Sequence, residues 1–181
     1  MARLEAFAPQ VVGLGISSDE LAGLTDHFVG RAAEPLVPLT ASEAAEVKGL
    51  SKFGVIRVPN PACVEVLEWA RGRGIPVEPL DPTDETYAAM FTEHISYFEL
   101  LRRTLRERRL SKRPPAAATA EEYVTTWHRT VAGGEGSRSF DAARDDALAE
   151  NARRLSTRWG RVALVVDRER YDSVLARLAH R

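Results

Sequence analysis

Charged residues at three places in the chain are candidates for binding chemistry. Asp81 ends the short stretch IPVEPL, and Asp167 and Glu169 follow the apolar run RVALVV. In α/β proteins, ligands bind past the carboxyl ends of the strands, where such carboxylates would lie. Arg144 occupies a position in a helical apolar stripe, where a guanidinium needs a carboxylate or an anionic ligand. A buried ion pair and a ligand-binding role satisfy that need equally well.

Three strand segments and the helices between them would position these side chains. Residues 10–16 (QVVGLGI), 75–80 and 161–167 have the apolar character of strands. Two prolines in 75–80 favour an edge position, because proline cannot donate to a ladder. We expect an α/β fold with a small, mainly parallel sheet flanked by helices. A long helical insertion, at about 84–159, separates the second strand from the last.

Helix boundaries are predicted from capping residues and from apolar stripes. Ser17 and Thr119 begin Ser/Thr-x-x-Glu capping boxes, which satisfy backbone amides at a helix start. Asn60, followed by proline, caps a helix that Gly74 ends. The two longest predicted helices comprise residues 84–110 and 137–159, and each has an apolar stripe at helical spacing, which in the first includes Phe98, Leu101 and Leu105. The helix after Thr119 has a stripe of Tyr123, Trp127 and Val131, with His128 off the stripe and expected to be exposed. The last helix is expected to pack on the sheet through Tyr171, Val174, Leu175 and Leu178.

Composition limits the classes of function to consider. The 181 residues, 44% hydrophobic and 28% charged, suffice for one core, so a single domain over 1–181 is expected. The 25 basic and 26 acidic residues nearly cancel, so a nucleic-acid partner is not expected. The basic run 102–113 is interpreted as a solvated helix end. No apolar run is long enough to span a membrane and no signal peptide is recognisable, which predicts a cytoplasmic protein.

Residues that often act as nucleophiles, metal ligands or nucleotide contacts are better explained by packing. Cys63, the single cysteine, lies at a helix start and is expected to be buried. His94 lies within an apolar stripe with no second ligand one turn away, so it is expected to be a packed residue. Gly13 and Gly15 lack the third glycine of a dinucleotide motif, since Ser18 stands there. We therefore expect neither a metal nor a cofactor.

Three segments together resemble one protein family. PQVVGLGIS is similar to a first strand, RVPNPACVEVLEWARGRGIPVEPLD to a helix, glycine and strand ending in Asp, and ARDDALAENARRLSTRWGRVALVVDRERYDSVL to an Arg-bearing helix followed by a closing strand and helix. These are segments of the TraB/PrgY/GumN family, whose relatives include TIKI proteases and the erythromycin-esterase-like and ChaN-like proteins. FGVIRVP through LRERRLSK resembles archaeal members of unassigned function. The resemblance implies one TraB-like domain over 1–181, in which Asp81 and Arg144 form a pair able to position a ligand.

The departures from that family concern its catalytic metal. TIKI-type relatives use two G-x-x-H motifs and an acid for a metal that activates water. Here Gly15 stands in place of the acid, residues 167–170 lack the second motif, and residues 1–9 lack the first. The resemblance therefore implies a catalytically degenerate domain that binds a peptide, a protein or a small anionic ligand. The candidate ligand-binding residues are charged groups from the resembling segments, namely Asp81, Arg144, Glu169, Arg57 and Asp167.

Two alternatives from other classes stay open. A metal-dependent hydrolase of peptide or ester bonds could use Asp81, Asp167 and Glu169 to hold Mg²⁺ or Mn²⁺, because these ions prefer oxygen ligands. A homodimer could instead form through the stripe of the first long helix, which includes His94. In a dimer, a neighbouring chain could also complete the site.

Overall fold

The structure is a computed structural model that describes residues 1–28, 41–57 and 59–179. Within these residues the chain forms, in order, α1 (Ala2–Phe7), β1 (Val11–Leu14), α2 (Ser18–Phe28), α3 (Ala41–Leu50), α4 (Pro61–Arg71), β2 (Val77–Pro79), α5 (Asp84–His94), α6 (Tyr97–Lys112), α7 (Ala120–Val131), α8 (Glu135–Arg158), β3 (Val162–Val165) and α9 (Arg168–Ala179). None of these helices is long and apolar enough to cross a membrane.

The described residues divide into two compact units. The sheet unit comprises residues 1–28, 57, 59–87 and 144–179, and the helical unit comprises residues 41–56 and 88–143. Helices α5 to α8 all lie between β2 and β3 in the chain. The predicted long helical insertion between the second and last strands is therefore confirmed.

The sheet unit is built on three parallel strands in the order β2-β1-β3. Val12 of β1 is opposite Val77 of β2 on one side and Ala163 of β3 on the other. The ladder continues past the β2 strand, since Leu80 N–H donates to the Leu14 carbonyl at 2.8 Å. This confirms the predicted α/β fold and the edge position of the proline-containing strand, where a missing N–H leaves no gap in the ladder.

Both faces of this sheet are covered by helices. On one face, Val12 and Leu14 pack with α4. On the other face, Leu80 packs with α8 and α9. The α8 side chains that form this second core lie on one helical stripe and are at most 3% exposed: Leu148, Ala152 and Leu155. Because side chains alternate along a strand, the apolar run of β3 contributes to both cores, with Ala163 in the first and Leu164 in the second.

Gly13 has a packing role in this sheet. A Cβ atom built at Gly13 would lie 2.8 Å from the Leu80 side chain, closer than real Cβ contacts allow. Leu80 itself is 1% exposed and belongs to the core beneath α8. The glycine in β1 is therefore explained by the close approach of Leu80.

The predicted capping boxes are present. Ser17 and Glu20 exchange backbone and side-chain hydrogen bonds at the start of α2, at 2.8 and 3.2 Å. At the start of α7, the Thr119 hydroxyl accepts from the Glu122 N–H at 3.1 Å. Asn60 accepts from the Ala62 N–H at 3.0 Å and begins α4. Local side-chain chemistry therefore determines these three helix starts.

The helical unit has its own core between α3, α6 and α7. Tyr123 and Trp127 of α7 are each 1% exposed and stack with their ring centroids 6.0 Å apart. Val131 and, from α6, Leu110 complete the buried cluster. The predicted apolar stripe of α7 is confirmed.

The prediction of one continuous helix over 84–110 is wrong, because the structure has two helices there. Helix α5 ends at His94 and α6 begins at Tyr97. Between them, Ser96 has extended backbone angles and its hydroxyl accepts from the Glu99 N–H at 3.3 Å. A serine that caps a new helix in this way interrupts the apolar periodicity that suggested continuity. The longest helix is instead α8, with 24 residues.

The prediction for α9 is correct in part. Val174 is 3% exposed and lies in the core with Leu148, as expected. Tyr171 and Leu175, which were also expected to pack on the sheet, are each 50% exposed. Residues 171 and 175 share one side of the helix, about 60° and 100° from Val174, respectively, so the Val174 side faces the sheet.

Candidate functional site

Asp81 and Arg144 form a buried ion pair within the sheet unit. Arg144 Nε donates to the two carboxylate oxygens of Asp81, at 2.8 and 3.0 Å, and Nη2 also donates to Oδ2. The side chains are 4% exposed for Asp81 and 19% exposed for Arg144. The inward direction of Arg144 is therefore confirmed, and its buried charge is met by a carboxylate.

The elements that carry this pair hold both side chains in place. The Asp81 N–H donates to the Ile16 carbonyl at 3.1 Å, which extends the β2–β1 ladder to the carboxylate-bearing residue. Arg144 is part of the regular helix α8, and its guanidinium carbon lies 5.2 Å from the centre of the Tyr87 ring. A guanidinium with a carboxylate at its edge and an aromatic ring against its face has little freedom to reorient.

The electrostatics of Arg144 favour its charged form. Burial by itself lowers the pKa of Arg144, but the hydrogen bonds and negative charge of Asp81 outweigh burial and raise that pKa above the ordinary arginine value. The charge of Asp167 acts in the same direction. Arg144 therefore stays charged at all pH values at which the protein is folded, and it supplies charge and hydrogen bonds but no proton.

A second buried ion pair lies next to the first and was missed by sequence reasoning. Asp145 Oδ1 accepts from Arg170 Nη1 at 2.6 Å, with side chains 8% and 12% exposed, respectively. The signal for Asp145 was its place three residues before Leu148, on the same apolar stripe. An acid there requires a buried partner for the same reason that Arg144 does.

These two pairs connect α8 to the segments that follow the two edge strands. Arg144 holds Asp81 after β2, and Asp145 holds Arg170 at the start of α9, after β3. A further contact, from Asn151 Nδ2 to the Leu80 carbonyl at 2.7 Å, joins α8 to the end of β2 again. One helix thus positions the chain at the carboxyl ends of two of the three strands.

The remaining predicted ligand-binding residues are placed differently. Asp167 is exposed and its carbonyl accepts from the Arg170 and Tyr171 N–H groups at the start of α9, and its charge still acts on Arg144. Glu169 is half-buried. Arg57 is exposed, and no hydrogen bond or ion pair joins it to Asp81. The structure therefore brings together Asp81 and Arg144, with Asp167 nearby, but does not add Arg57.

The carboxylates proposed for a divalent metal do not form a metal-binding group. Among residues 1–28, 41–57 and 59–179, no three His, Cys, Asp or Glu side chains are arranged to hold an ion. Asp81, which would be one ligand of that set, already binds Arg144 through both carboxylate oxygens. The arrangement of Asp81, Asp167 and Glu169 required by the hydrolase alternative is thus not present.

An open pocket of about 570 Å³ lies beside Asp81 at the carboxyl end of β2. Its lining includes the hydroxyls of Thr83 and Thr86 and the amide of Asn151. Two arginines contribute positive charge, and three carboxylates, Glu78, Asp81 and Glu150, contribute negative charge. Arg158 is held by Glu78 at 2.5 Å, whereas Arg154 lies 3.7 Å from Glu150, beyond hydrogen-bond distance. This volume and mixture of groups suit a small polar ligand.

Cys63 was predicted to be buried and His94 to be a packed residue, and the structure agrees with both predictions. Cys63 is 8% exposed, and burial, with smaller effects from the charges of Asp167 and Glu20, raises the pKa of its thiol to about 11. It is therefore protonated and unreactive at neutral pH. His94 Nδ1 lies 3.0 Å from the Ser139 hydroxyl, which makes it a partly buried, hydrogen-bonded residue.

His128 was expected to be exposed, but its side chain is only partly exposed. Its side chain is 41% exposed, and its Nε2 lies 3.0 Å from Glu46 Oε1. That contact joins α7 to α3 within the helical unit. Sequence spacing alone did not indicate the pairing, because the two residues are far apart in the chain.

The fold and the site define a small parallel α/β protein with a helical insertion and a charged, hydrogen-bonded strand end. No family model matches the chain, and comparisons with curated proteins and with solved structures also give no match. The resemblance to the TraB/PrgY/GumN family stays a prediction from the residues.

Proposed function

We propose that the protein is a catalytically degenerate TraB-like domain that binds a small anionic ligand in the pocket beside Asp81. The observation that supports this most directly is the position of the pocket, past the carboxyl end of β2. Ligands of α/β proteins bind in this region because loops and helix starts converge there without blocking one another.

The anion would be bound by Arg154. Arg144 also faces this end of the sheet, but Asp81 occupies two of its nitrogens. Arg154 Nε is 3.7 Å from its carboxylate neighbour Glu150, and its side chain is 70% exposed. An exposed pair at this distance contributes little to stability, so a ligand carboxylate or phosphate could replace Glu150 at little cost.

Neutral groups of the same pocket would select the rest of the ligand. The hydroxyls of Thr83 and Thr86 lie 3.0 Å apart and can donate to or accept from a ligand hydroxyl. Asn151 is oriented by its bond to the Leu80 carbonyl, and its amide oxygen remains an acceptor. A small hydroxy acid or a phosphate ester combines the charge and the hydroxyl groups that this lining requires.

The Asp81–Arg144 pair would support this pocket, but neither side chain would contact the charged group of the anion. Asp81 lines the pocket, and Arg144 fixes the direction of its carboxylate. The absent G-x-x-H motifs and the engagement of Asp81 by an arginine both favour binding over hydrolysis.

Binding can be tested by thermal unfolding with citrate and with inorganic phosphate as probes. A ligand at about a hundred times its Kd adds about 2.7 kcal/mol of stability, or an increase in Tm of roughly 5–10 °C for a chain of this size. We expect one of the two anions to give such an increase with the wild type and with Arg71→Ala, a control for the loss of an exposed arginine in the same unit. We expect Arg154→Ala to abolish it.

Two results would contradict the proposal. One is that neither anion changes the Tm of the wild type. The other is that Arg154→Ala and Arg71→Ala respond alike, because binding would then not involve the pocket.

A further inference from the structure

Helix α6, in the helical unit, exposes large apolar side chains to solvent. Tyr97, Phe98, Leu101 and Leu105 are 77%, 74%, 50% and 56% exposed, respectively. The sequence predicted that Phe98, Leu101 and Leu105 belong to a packed stripe, and that packing is not found. Apolar side chains exposed next to one another on one element mark an interaction surface more often than a single exposed leucine does.

The orientation of α6 makes this exposure unusual. Leu110 is its buried residue, 9% exposed, and packs with Trp127 of α7. With about 100° of rotation per residue, Phe98, Leu101 and Leu105 lie within about 60° of one another and on the side opposite Leu110. A surface helix normally turns its apolar side inward. Here the larger apolar side faces outward, and the helical unit does not cover it.

The same outward face is basic in its second half. Five cationic side chains on α6 and at its end are exposed: Arg102, Arg108, Arg109, Lys112 and Arg113. Arg103, by contrast, is partly buried and paired with Glu107 at 3.0 Å. Apart from Arg102, which lies between Leu101 and Leu105, the outward face therefore changes along the helix axis from apolar, at Tyr97 to Leu105, to positively charged, at Arg108 to Arg113.

A groove of about 600 Å³ runs beside this face. It is lined by side chains of α6 and by residues 133–135; the α6 residues include Phe98, Arg102, Leu105, Arg106 and Arg109. Glu99 also lines the groove, but its carboxylate accepts from the N–H groups at 136 and 137, at 3.0 and 2.6 Å. The charged groups of the lining are therefore two glutamates, Glu99 and Glu135, and three arginines, Arg102, Arg106 and Arg109. Since the charge of Glu99 is used at the start of α8, the arginines outweigh the remaining carboxylate and the groove is positive.

We propose that the outward face of α6 and this groove bind an amphipathic helix of another protein, with an acidic first half and an apolar second half. Such a helix, antiparallel to α6, would place carboxylates over Arg109 and Lys112 and apolar side chains over Phe98 and Leu105. The two helix dipoles would also oppose each other favourably. This inference concerns the helical unit and does not depend on the ligand proposed for the sheet unit.

The charge pattern disfavours the other occupants of such a face. In a homodimer through α6, a parallel arrangement would bring Arg108 to Arg113 of the two chains together, and an antiparallel one would cover apolar residues with arginines. On an anionic membrane, basic side chains flank an apolar stripe along its whole length. Here they follow it along the axis, and the adjoining surface is concave.

The test is fluorescence anisotropy with the full chain and a labelled synthetic helix of about 16 residues, glutamate-rich in its first half and leucine-rich in its second. The control peptide has the same composition in scrambled order. The double variant Arg102→Glu/Arg109→Glu is compared with Lys52→Glu/Arg129→Glu, which makes the same charge change at exposed positions of the same unit. Leu105→Asp removes apolar surface at a position already 56% exposed, so it should fold.

We expect the wild type and Lys52→Glu/Arg129→Glu to bind the designed peptide at least about ten-fold more tightly than the scrambled one. Arg102→Glu/Arg109→Glu and Leu105→Asp should each weaken binding about ten-fold, and raising salt should weaken it in the wild type. The inference is overturned if both double variants bind alike or if the scrambled peptide binds equally well. It is also overturned if Leu105→Asp leaves peptide binding unchanged and instead abolishes binding to phosphatidylserine-containing vesicles. The same holds if Leu105→Asp leaves peptide binding unchanged and instead dissociates a dimer in sedimentation.

Discussion

Replacing Arg144 with alanine should destabilise the protein strongly, because it leaves the Asp81 carboxylate buried without its partner. That carboxylate is 4% exposed and loses all the hydrogen bonds that Arg144 donates to it. Removing one partner of a buried pair costs about 3–5 kcal/mol. Since Arg144 is 19% exposed, water can reach the vacated site, and the lower limit of about 3 kcal/mol is the better expectation. For a chain of this size, that loss lowers Tm by roughly 6–12 °C.

The assay is urea unfolding followed by circular dichroism, applied to Arg144→Ala, Asp81→Leu and the double variant Asp81→Leu/Arg144→Met. Replacing both charges with apolar side chains should cost less than about 1.5 kcal/mol, because no charge is then left buried. Arg154→Ala is the matched control on the same helix, since its pair with Glu150 is exposed and 3.7 Å long. It should cost no more than about 0.5 kcal/mol.

Two outcomes would refute the reasoning about this pair. If Arg144→Ala costs no more than Arg154→Ala, Asp81 is not desolvated as the structure indicates. If the double variant is destabilised by the sum of the single effects, the two residues do not act as a pair.

Three further predictions concern other groups. Backbone N–H donation from Ser137 lowers the pKa of Glu99 below its ordinary 4.5, so the contribution of Glu99 to stability should be complete above pH 4.5 and decrease as the pH falls towards the folded-state pKa. In a plot of the urea midpoint against pH, Glu99→Gln should reduce the loss of stability at acid pH. An unchanged acid part of that plot would contradict this. The Cys63 thiol, whose pKa is raised from 9.0 to about 11, should resist alkylation at pH 8 in the native protein and react within minutes in urea. The free energy of unfolding should fall above pH 9, because the thiol ionises first in the unfolded chain. Rapid alkylation of the native protein would show that burial is incomplete. Gly49→Ala would place a Cβ against the Tyr123 ring and should destabilise the protein. Gly23 has open space around it, so Gly23→Ala should stabilise the protein by about 0.5–1 kcal/mol. Equal urea midpoints for the two variants would contradict the packing described for α3 and α7.

Much of the sheet unit could be predicted from local sequence. The apolar runs around Val12 and Ala163 identify strands because both of their faces are buried. Prolines at 76 and 79 indicate an edge strand, since each removes a backbone donor. Ser17 and Asn60 mark helix starts through hydrogen bonds that span only two or three residues.

The two buried ion pairs differ in how far the sequence predicted them. Arg144 could be recognised as inward-facing from its place in an apolar stripe, and the family resemblance implied Asp81 as its partner, which is the pair that the structure forms. The Asp145–Arg170 pair requires knowing that α9 returns to α8, which no periodicity contains. The pocket at Arg154 likewise results from the packing of α8 beside β2.

Local sequence predicted the element types, the helix caps and the residues whose charge needs a partner, because these depend on neighbours within about one helical turn. The tertiary structure was needed to find Arg170 as the partner of Asp145, the break between α5 and α6 at Ser96, and the exposure of Phe98 and Leu105 on α6. An apolar stripe states that a helix has a face to cover. It does not state whether its own chain or another protein covers it, because that depends on contacts between distant segments.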